Sequence, residues 1–137
     1  MKLLIHIILL TNIFFIFAQD PPEYFQFNQS QLQAFYYFES VTINGTTQLA
    51  AEDWVGAFNE DVCVGARQWD ISLCGGGVCD VPVYGYDGAE YTTGYMMSND
   101  IPTFKIFDAS EESYFDAFAS ENIPWNNLGM PFIDNLN

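Results

Sequence analysis

The sequence predicts an all-β protein, an antiparallel β-sandwich of the immunoglobulin-like or jelly-roll-like kind. Three observations support this prediction. No stretch keeps a helical period, short runs of aromatic and β-branched residues recur along the chain, and Gly, Asn, Asp or Pro turn signals separate these runs. We expect about seven to nine short strands, with turns roughly every ten residues. Residues 19–137 form one ordinary domain by length.

The first 18 residues read as a targeting segment rather than as part of the fold. Lys2 precedes an apolar run from Leu3 to Phe17, and the small residue Ala18 ends it. This layout predicts a cleaved secretory signal peptide over residues 1–18. The run is shorter than the roughly 20 apolar residues of a transmembrane helix. The alternative is an uncleaved N-terminal anchor, but no basic flank follows the run. We therefore expect a secreted mature chain that does not insert into a membrane.

Two strand candidates precede the middle of the chain. Glu23 to Asn28 reads as a short aromatic strand, and Leu32 to Ile43 as a longer strand rich in aromatic and β-branched residues. Asn44-Gly45 is a strong hairpin signal, because both residues tolerate the left-handed conformation that such turns require. Thr46 to Leu49 would then pair back on the preceding strand.

The stretch from Asp53 to Asp70 predicts a central β-hairpin. Two apolar runs lie on either side of the polar tripeptide Asn59-Glu60-Asp61, which indicates a three-residue loop. Gly56 and Gly65 stand where another layer of the protein could approach closely. We expect this hairpin to be the packing centre of the sandwich.

The second half of the sequence continues the pattern. Val81 to Tyr86 predicts a strand, and Pro82 favours a sheet edge or a strand start because proline cannot donate a ladder hydrogen bond. Ala89 to Asp100 reads as an ordered loop with a short strand within it. The remaining strand candidates are Pro102 to Asp108, Ser113 to Ala119 and Met130 to Asp134.

Charge excludes several functions. The chain has 18 acidic residues and a formal net charge of −15. Arg67 and Lys105 are the only cations after residue 18, and the single histidine, His6, lies in the predicted signal peptide. Nucleic acids and anionic membranes require a basic surface, and histidine-based catalysis requires a histidine. We expect a protein that is not an enzyme and binds no nucleic acid.

The cysteines predict one disulfide bond. Cys74 and Cys79 lie at the two ends of a short loop that contains Gly75-Gly76-Gly77. In an oxidising compartment, a disulfide bond between them would close the shortest ring that the three cysteines allow. The alternative is a bond from Cys63 to either of them. Three thiols without a histidine make an incomplete zinc site.

The central hairpin resembles a known module. The residues D-x-V-G-A-F…C-V-G-A, followed by P-T-F-K-I-F-D, are similar to a small β-sandwich accessory module in secreted multidomain surface proteins of Bacteroidota-like bacteria. The likeness spans Trp54 to Asp108. It implies a non-catalytic domain among surface or adhesion domains, ahead of a C-terminal sorting or dockerin-like segment that we do not find in this sequence. Such modules often have Gly at the position of Glu60, and no catalytic or ligand residues come with the resemblance.

Carbohydrate binding is the first site hypothesis, because sugars stack on exposed aromatic rings. Five candidate rings fall in the later part of the chain: Tyr84, Tyr86, Tyr91, Tyr95 and Trp125. The alternative is that these rings fill the core. Tyr84 and Tyr86 share one face of their predicted strand, so we expect them to be buried or exposed together.

Calcium is the second site hypothesis. Asp87, Glu90 and Asp100 offer hard oxygen ligands in loops, although the sequence has no D-x-D-x-D-G calcium loop. The alternative is that they are solvated acidic turns. No other cofactor is expected.

These observations together predict a secreted, non-catalytic surface or accessory module with a structural or adhesion role. The second interpretation is a carbohydrate-binding module that uses exposed tyrosine and tryptophan side chains. The expected partners are glycans or other domains of a cell-surface assembly. The expected location is extracellular or at the cell surface.

Overall fold

The protein is a β-sandwich of two four-stranded sheets. The computed structural model describes residues 19–137, so the predicted signal peptide lies outside the described residues. The predicted fold class is confirmed. The strands are β1 (Gln33–Ile43), β2 (Thr47–Gln48), β3 (Trp54–Asn59), β4 (Val62–Gln68), β5 (Cys79–Tyr84), β6 (Thr103–Asp108), β7 (Ser113–Ala117) and β8 (Phe132–Leu136). No helix within residues 19–137 has the length and apolar character needed to cross a membrane.

The first sheet is built around β1. Strand β5 pairs with it antiparallel along one side, β8 pairs with it along the opposite side, and the short β2 pairs antiparallel with the end of β1. Strand β8 runs parallel to β1, with Phe132 opposite Tyr37, so this sheet is mixed rather than purely antiparallel. The parallel direction is allowed because a long connection, residues 118–131, carries the chain from the other sheet before β8 begins.

The second sheet contains the central hairpin and has the order β4-β3-β6-β7, with every pair antiparallel. The predicted hairpin is confirmed, but its predicted loop length is wrong. Asn59 pairs with Val62, which leaves only Glu60 and Asp61 in the loop. Glu60 has a φ of 54°, in the left-handed region that costs a residue with a side chain about 1 kcal/mol.

The main core lies between the sheets and is largely aromatic. Tyr36 and Phe38 alternate along β1 toward Phe104 of β6, and the Phe38 and Phe104 rings meet edge to face with centroids 5.1 Å apart. Both β1 and β6 were predicted, and the Asn44-Gly45 turn is present with positive φ at both residues.

A second, smaller core covers the outer face of the second sheet. The predicted strand over Glu23 to Asn28 is wrong, because Glu23–Phe25 forms a short 3-10 helix instead. Its Phe25 ring is fully buried against Phe58 and Tyr114, with centroids 5.7 and 5.4 Å away. A Cβ atom at Gly56 would lie 3.0 Å from this ring, so Gly56 leaves the hollow that Phe25 fills.

The two sheets come closest between β4 and β5. A Cβ atom at Gly65 would lie 1.7 Å from the backbone carbonyl oxygen of Pro82. Strand β5 is an edge strand, as Pro82 predicted. Beside this contact, the Arg67 guanidinium lies 2.9 Å from the Asp80 carboxylate and also donates to the Asp80 carbonyl oxygen. The close approach therefore requires the absence of a side chain at position 65.

We predict that Gly65→Ala lowers the free energy of unfolding by about 3 kcal/mol, since the added methyl group meets backbone that cannot rotate away. Urea unfolding followed by tryptophan fluorescence measures this change. Gly75→Ala is the matched control, because position 75 faces open space. Equal stabilities for the two variants would contradict the predicted close contact.

Candidate functional site

The five predicted ligand-binding rings fall into two groups. Tyr84, Tyr95 and Trp125 are buried, with 6%, 4% and 2% of their surface exposed. Tyr86 and Tyr91 are 44% and 59% exposed. Only the second pair therefore presents ring surface to solvent.

The prediction that Tyr84 and Tyr86 would be buried or exposed together is wrong. Regular pairing of β5 with β1 ends at Tyr84, so the alternation of faces ends there as well. Tyr86 pairs instead with the following loop, where its N–H donates to the Met96 carbonyl oxygen at 2.9 Å. The Phe27 ring stacks on Tyr84 at a centroid distance of 5.7 Å and covers it.

The two other buried rings support the same loop. The Trp125 indole N–H donates to the Val83 carbonyl oxygen at 2.9 Å, and its ring occupies the space where a side chain at Gly85 would stand. The Tyr95 hydroxyl accepts a hydrogen bond from the Asn28 N–H at 2.7 Å. These rings hold the segment from Gly85 to Tyr95 in place. Trp125 and Tyr95 therefore fill the core, which was the alternative to ligand binding in the sequence analysis.

Two open grooves lie on either side of Thr93 and Tyr95. The first, which we call the Tyr86 groove, has a volume of about 320 Å³. The second, the Tyr91 groove, has a volume of about 350 Å³. The Tyr86 groove is lined by Asn59, Tyr86, Thr93, Gly94, Tyr95, Met97 and Asp100. The Tyr91 groove is lined by Gln26, Phe27, Asn28, Val62, Cys63, Tyr91, Thr93 and Tyr95.

Polar groups at the Tyr86 groove are held in fixed positions. The Asn59 side-chain amide donates to the Gly94 carbonyl oxygen at 3.0 Å, and Asp100 Oδ2 accepts from the Met97 N–H at 2.8 Å. Within residues 19–137, no hydrogen bond reaches Asn59 Oδ1, Asp100 Oδ1 or the Tyr86 hydroxyl. The sequence prediction missed Asn59 and Met97, because it searched for aromatic rings, whereas Asn59 is a polar residue at the end of β3 and Met97 is a flexible aliphatic residue in a loop.

The three carboxylates of the calcium hypothesis occupy different positions. Asp87 accepts hydrogen bonds from the Gln31 and Ala89 N–H groups and from the Thr92 hydroxyl, at 3.1, 3.0 and 2.9 Å. Glu90 is exposed, and Asp100 lines the Tyr86 groove. In the part of the chain that the structure describes, no three His, Cys, Asp or Glu side chains come together to hold a metal ion.

The hydrogen bonds to Asp87 lower the pKa of its carboxyl group below the ordinary 3.8, with the bond from Gln31 contributing most. The stabilisation is complete above pH 3.8 and is lost as the pH falls toward the lowered pKa of the folded protein. We predict that the NMR shifts of the Gln31 and Ala89 amides change together at a midpoint below pH 3.8. Asp87→Asn, which cannot titrate, is the control and should abolish this transition. A midpoint at or above 3.8 would contradict the observed contacts.

Five other charged side chains of the described residues have structural roles. Arg67 pairs with Asp80, and Lys105 pairs with Asp116. Asp53 is buried, and its two carboxylate oxygens accept from the Ala50 and Ala109 N–H groups at 2.7 and 2.9 Å. This aspartate ties the start of the central hairpin to the turn after β6.

The predicted disulfide bond joins Cys74 and Cys79, and Cys63 is a free, buried cysteine. The alternative pairing of Cys63 is therefore wrong. Burial raises the pKa of the Cys63 thiol to about 11, against a smaller opposite effect of the Gly65 backbone. At neutral pH this cysteine is a protonated, shielded thiol.

We predict that a thiol reagent such as DTNB at pH 8 finds no reactive cysteine in the folded protein, because the Cys63 thiol is both buried and protonated. In denaturant alone, one thiol should react. After reduction of the disulfide bond, three thiols should react in denaturant. Cys63→Ser is the control and should remove the thiol that denaturant exposes. Three reactive thiols without reduction would contradict the disulfide bond.

The fold and the grooves define a class of protein: a disulfide-containing β-sandwich with shallow, tyrosine-lined depressions beside the tip of its central hairpin. Comparison with known protein families, with curated proteins and with solved structures finds no match to this chain.

Proposed function

We propose that this protein is a secreted, non-catalytic accessory module that acts at or outside the cell surface, with an adhesion or structural role. One observation carries the proposal. Several side chains that could perform chemistry are engaged in the fold: both cations of residues 19–137 in ion pairs, Asp53 at two backbone N–H groups, and Cys74 and Cys79 in a disulfide bond. What the surface offers to a partner is aromatic and apolar contact area in loops.

Three further features favour this function. The apolar segment before residue 19 has the layout of a signal peptide. A disulfide bond suits an oxidising exterior. The likeness of the Trp54 to Asp108 segment to accessory modules of bacterial surface proteins adds the expectation of neighbouring domains in an assembly.

Carbohydrate binding is the second candidate function. It is favoured by the exposure of Tyr86 and Tyr91, each of which stands at one of the two grooves. Exposed aromatic rings offer both an apolar face and a hydroxyl group, a combination that suits sugars. Glycans are therefore a partner class that this surface fits.

We predict that a bacterial host carrying the full chain releases it, or displays it on the cell surface, with residues 1–18 removed. Intact-mass spectrometry of the recovered protein measures this. Replacement of Leu9 and Leu10 by arginine should block export, because the apolar run of a signal peptide would be broken. Thr11→Ser is the matched control and should leave export unchanged.

The same preparation tests the absence of catalysis. After incubation with soluble polysaccharides, no new reducing ends should form. Retention of the chain inside the cell with residues 1–18 intact would contradict secretion, and turnover of any polysaccharide would contradict a non-catalytic role.

A further inference from the structure

We propose that the Tyr86 groove is a binding site for an uncharged saccharide of one or two sugar rings. This inference rests on the carbohydrate-binding candidate function. It adds the location of the site, the chemical class of the ligand and the atoms that would recognise it.

The walls of the groove suit the C–H face of a sugar. Tyr86 is 44% exposed and Met97 is 63% exposed, so a ring and a polarisable thioether side chain both face solvent at the same depression. Buried Tyr95 lies behind them, and its position is fixed by the hydrogen bond from the Asn28 N–H. Apolar surface with a rigid backing is typical of small-molecule sites.

The rim of the groove presents oxygen atoms to sugar hydroxyl groups. Asn59 Oδ1 and Asp100 Oδ1 are acceptors, and the Tyr86 hydroxyl can donate or accept. The other polar atom of each amide or carboxylate is already bonded to the protein, to Gly94 for Asn59 and to the Met97 N–H for Asp100. Both acceptors are thus oriented before a ligand arrives, which reduces the entropy lost on binding.

Charge restricts the ligand class. No lysine or arginine lines the groove, and the two cations of the described residues pair with Asp80 and Asp116. The Asp100 carboxylate and the net charge of −15 repel anions. A uronic acid or a sulfated sugar would find no counter-charge there, whereas a neutral sugar can donate its hydroxyl groups to the acceptors.

The size of the groove limits the ligand. A volume of about 320 Å³ lies at the lower end of the range of about 300–1,000 Å³ for ligand pockets. The groove is open, so a neutral chain could pass through it while only one or two of its rings make contact.

The Tyr91 groove provides an internal comparison. It has a similar volume and an exposed tyrosine, but Gln26, Asn28 and Thr93 give it a more polar lining. Its exposed apolar residue is Val62, which is 38% exposed, whereas Met97 of the Tyr86 groove is 63% exposed. Tyr91→Ala is therefore the matched control for Tyr86→Ala, since both variants remove an exposed tyrosine from neighbouring grooves.

The test is affinity gel electrophoresis of the protein recovered after export of the full chain, in gels that contain dissolved laminarin, galactomannan or xyloglucan, with alginate as the anionic control. We expect at least one neutral polysaccharide to slow migration and alginate to have no effect. Tyr86→Ala should weaken binding about tenfold or more, as removal of a central aromatic contact does. Tyr91→Ala should change it less than about twofold.

Two additional variants keep the result interpretable. Met97→Ala changes an exposed side chain that the fold does not need, so it should fold normally and weaken binding even if Tyr86→Ala proves unstable. Tyr86→Phe keeps the aromatic ring and removes the hydroxyl group, so it should retain part of the affinity. Thermal unfolding of each variant establishes that it is folded.

The inference is overturned if none of the three neutral polysaccharides retards the folded protein, or if alginate is the polysaccharide that binds. Binding that Tyr91→Ala abolishes and Tyr86→Ala preserves would leave carbohydrate binding intact and reject this groove. A protein that is exported and processed but binds none of these polysaccharides would retain the accessory function and lose only the saccharide site.

Discussion

The close approach of Gly65 to the Pro82 carbonyl oxygen determines how the two sheets meet. The absence of a side chain lets the edges of β4 and β5 lie together, and the Arg67–Asp80 ion pair spans the same junction. At another corner, Phe118 and Asn137 exchange backbone hydrogen bonds of 2.7 and 3.1 Å. These hydrogen bonds connect the segment after β7 to the end of β8, and so join the second sheet to the first. Fixing β5 also fixes the segment that follows it, from Gly85 to the Tyr86 groove.

The features that could be predicted from the sequence are those encoded by neighbouring residues. The Asn44-Gly45 turn, strand β1 and the Cys74–Cys79 bond each follow from a few adjacent side chains. The position of Phe25 could not be predicted in this way, because it depends on the hollow at Gly56 in a distant strand. The parallel direction of β8 likewise depends on the path of a long connection, which no local pattern encodes.

The candidate site shows the same limit. Aromatic composition directed attention to the region from Tyr84 to Tyr95, but only tertiary packing decides which of its rings face solvent. Tyr84 is covered because Phe27, far away in sequence, stacks on it, while the chain turns away from β1 before Tyr86. Asn59 reaches the groove from the end of β3, a strand of the other sheet. The residues of a ligand site that is assembled from separate segments do not recur at a regular spacing. A sequence pattern can therefore indicate the region of such a site but not which residues form it.

The acidity of the chain connects the fold with the proposed recognition. A net charge of −15 favours solubility and repels other copies of the chain and anionic surfaces. Long-range electrostatic attraction to neutral or anionic polymers is then absent, so the proposed binding of a saccharide depends on short-range contacts. The exposed part of Tyr86 and the oriented oxygen atoms of Asn59 and Asp100 provide that kind of contact. An uncharged ligand avoids the repulsion that an anionic competitor meets, so under the proposed function the same charge would also make the Tyr86 groove selective for neutral ligands.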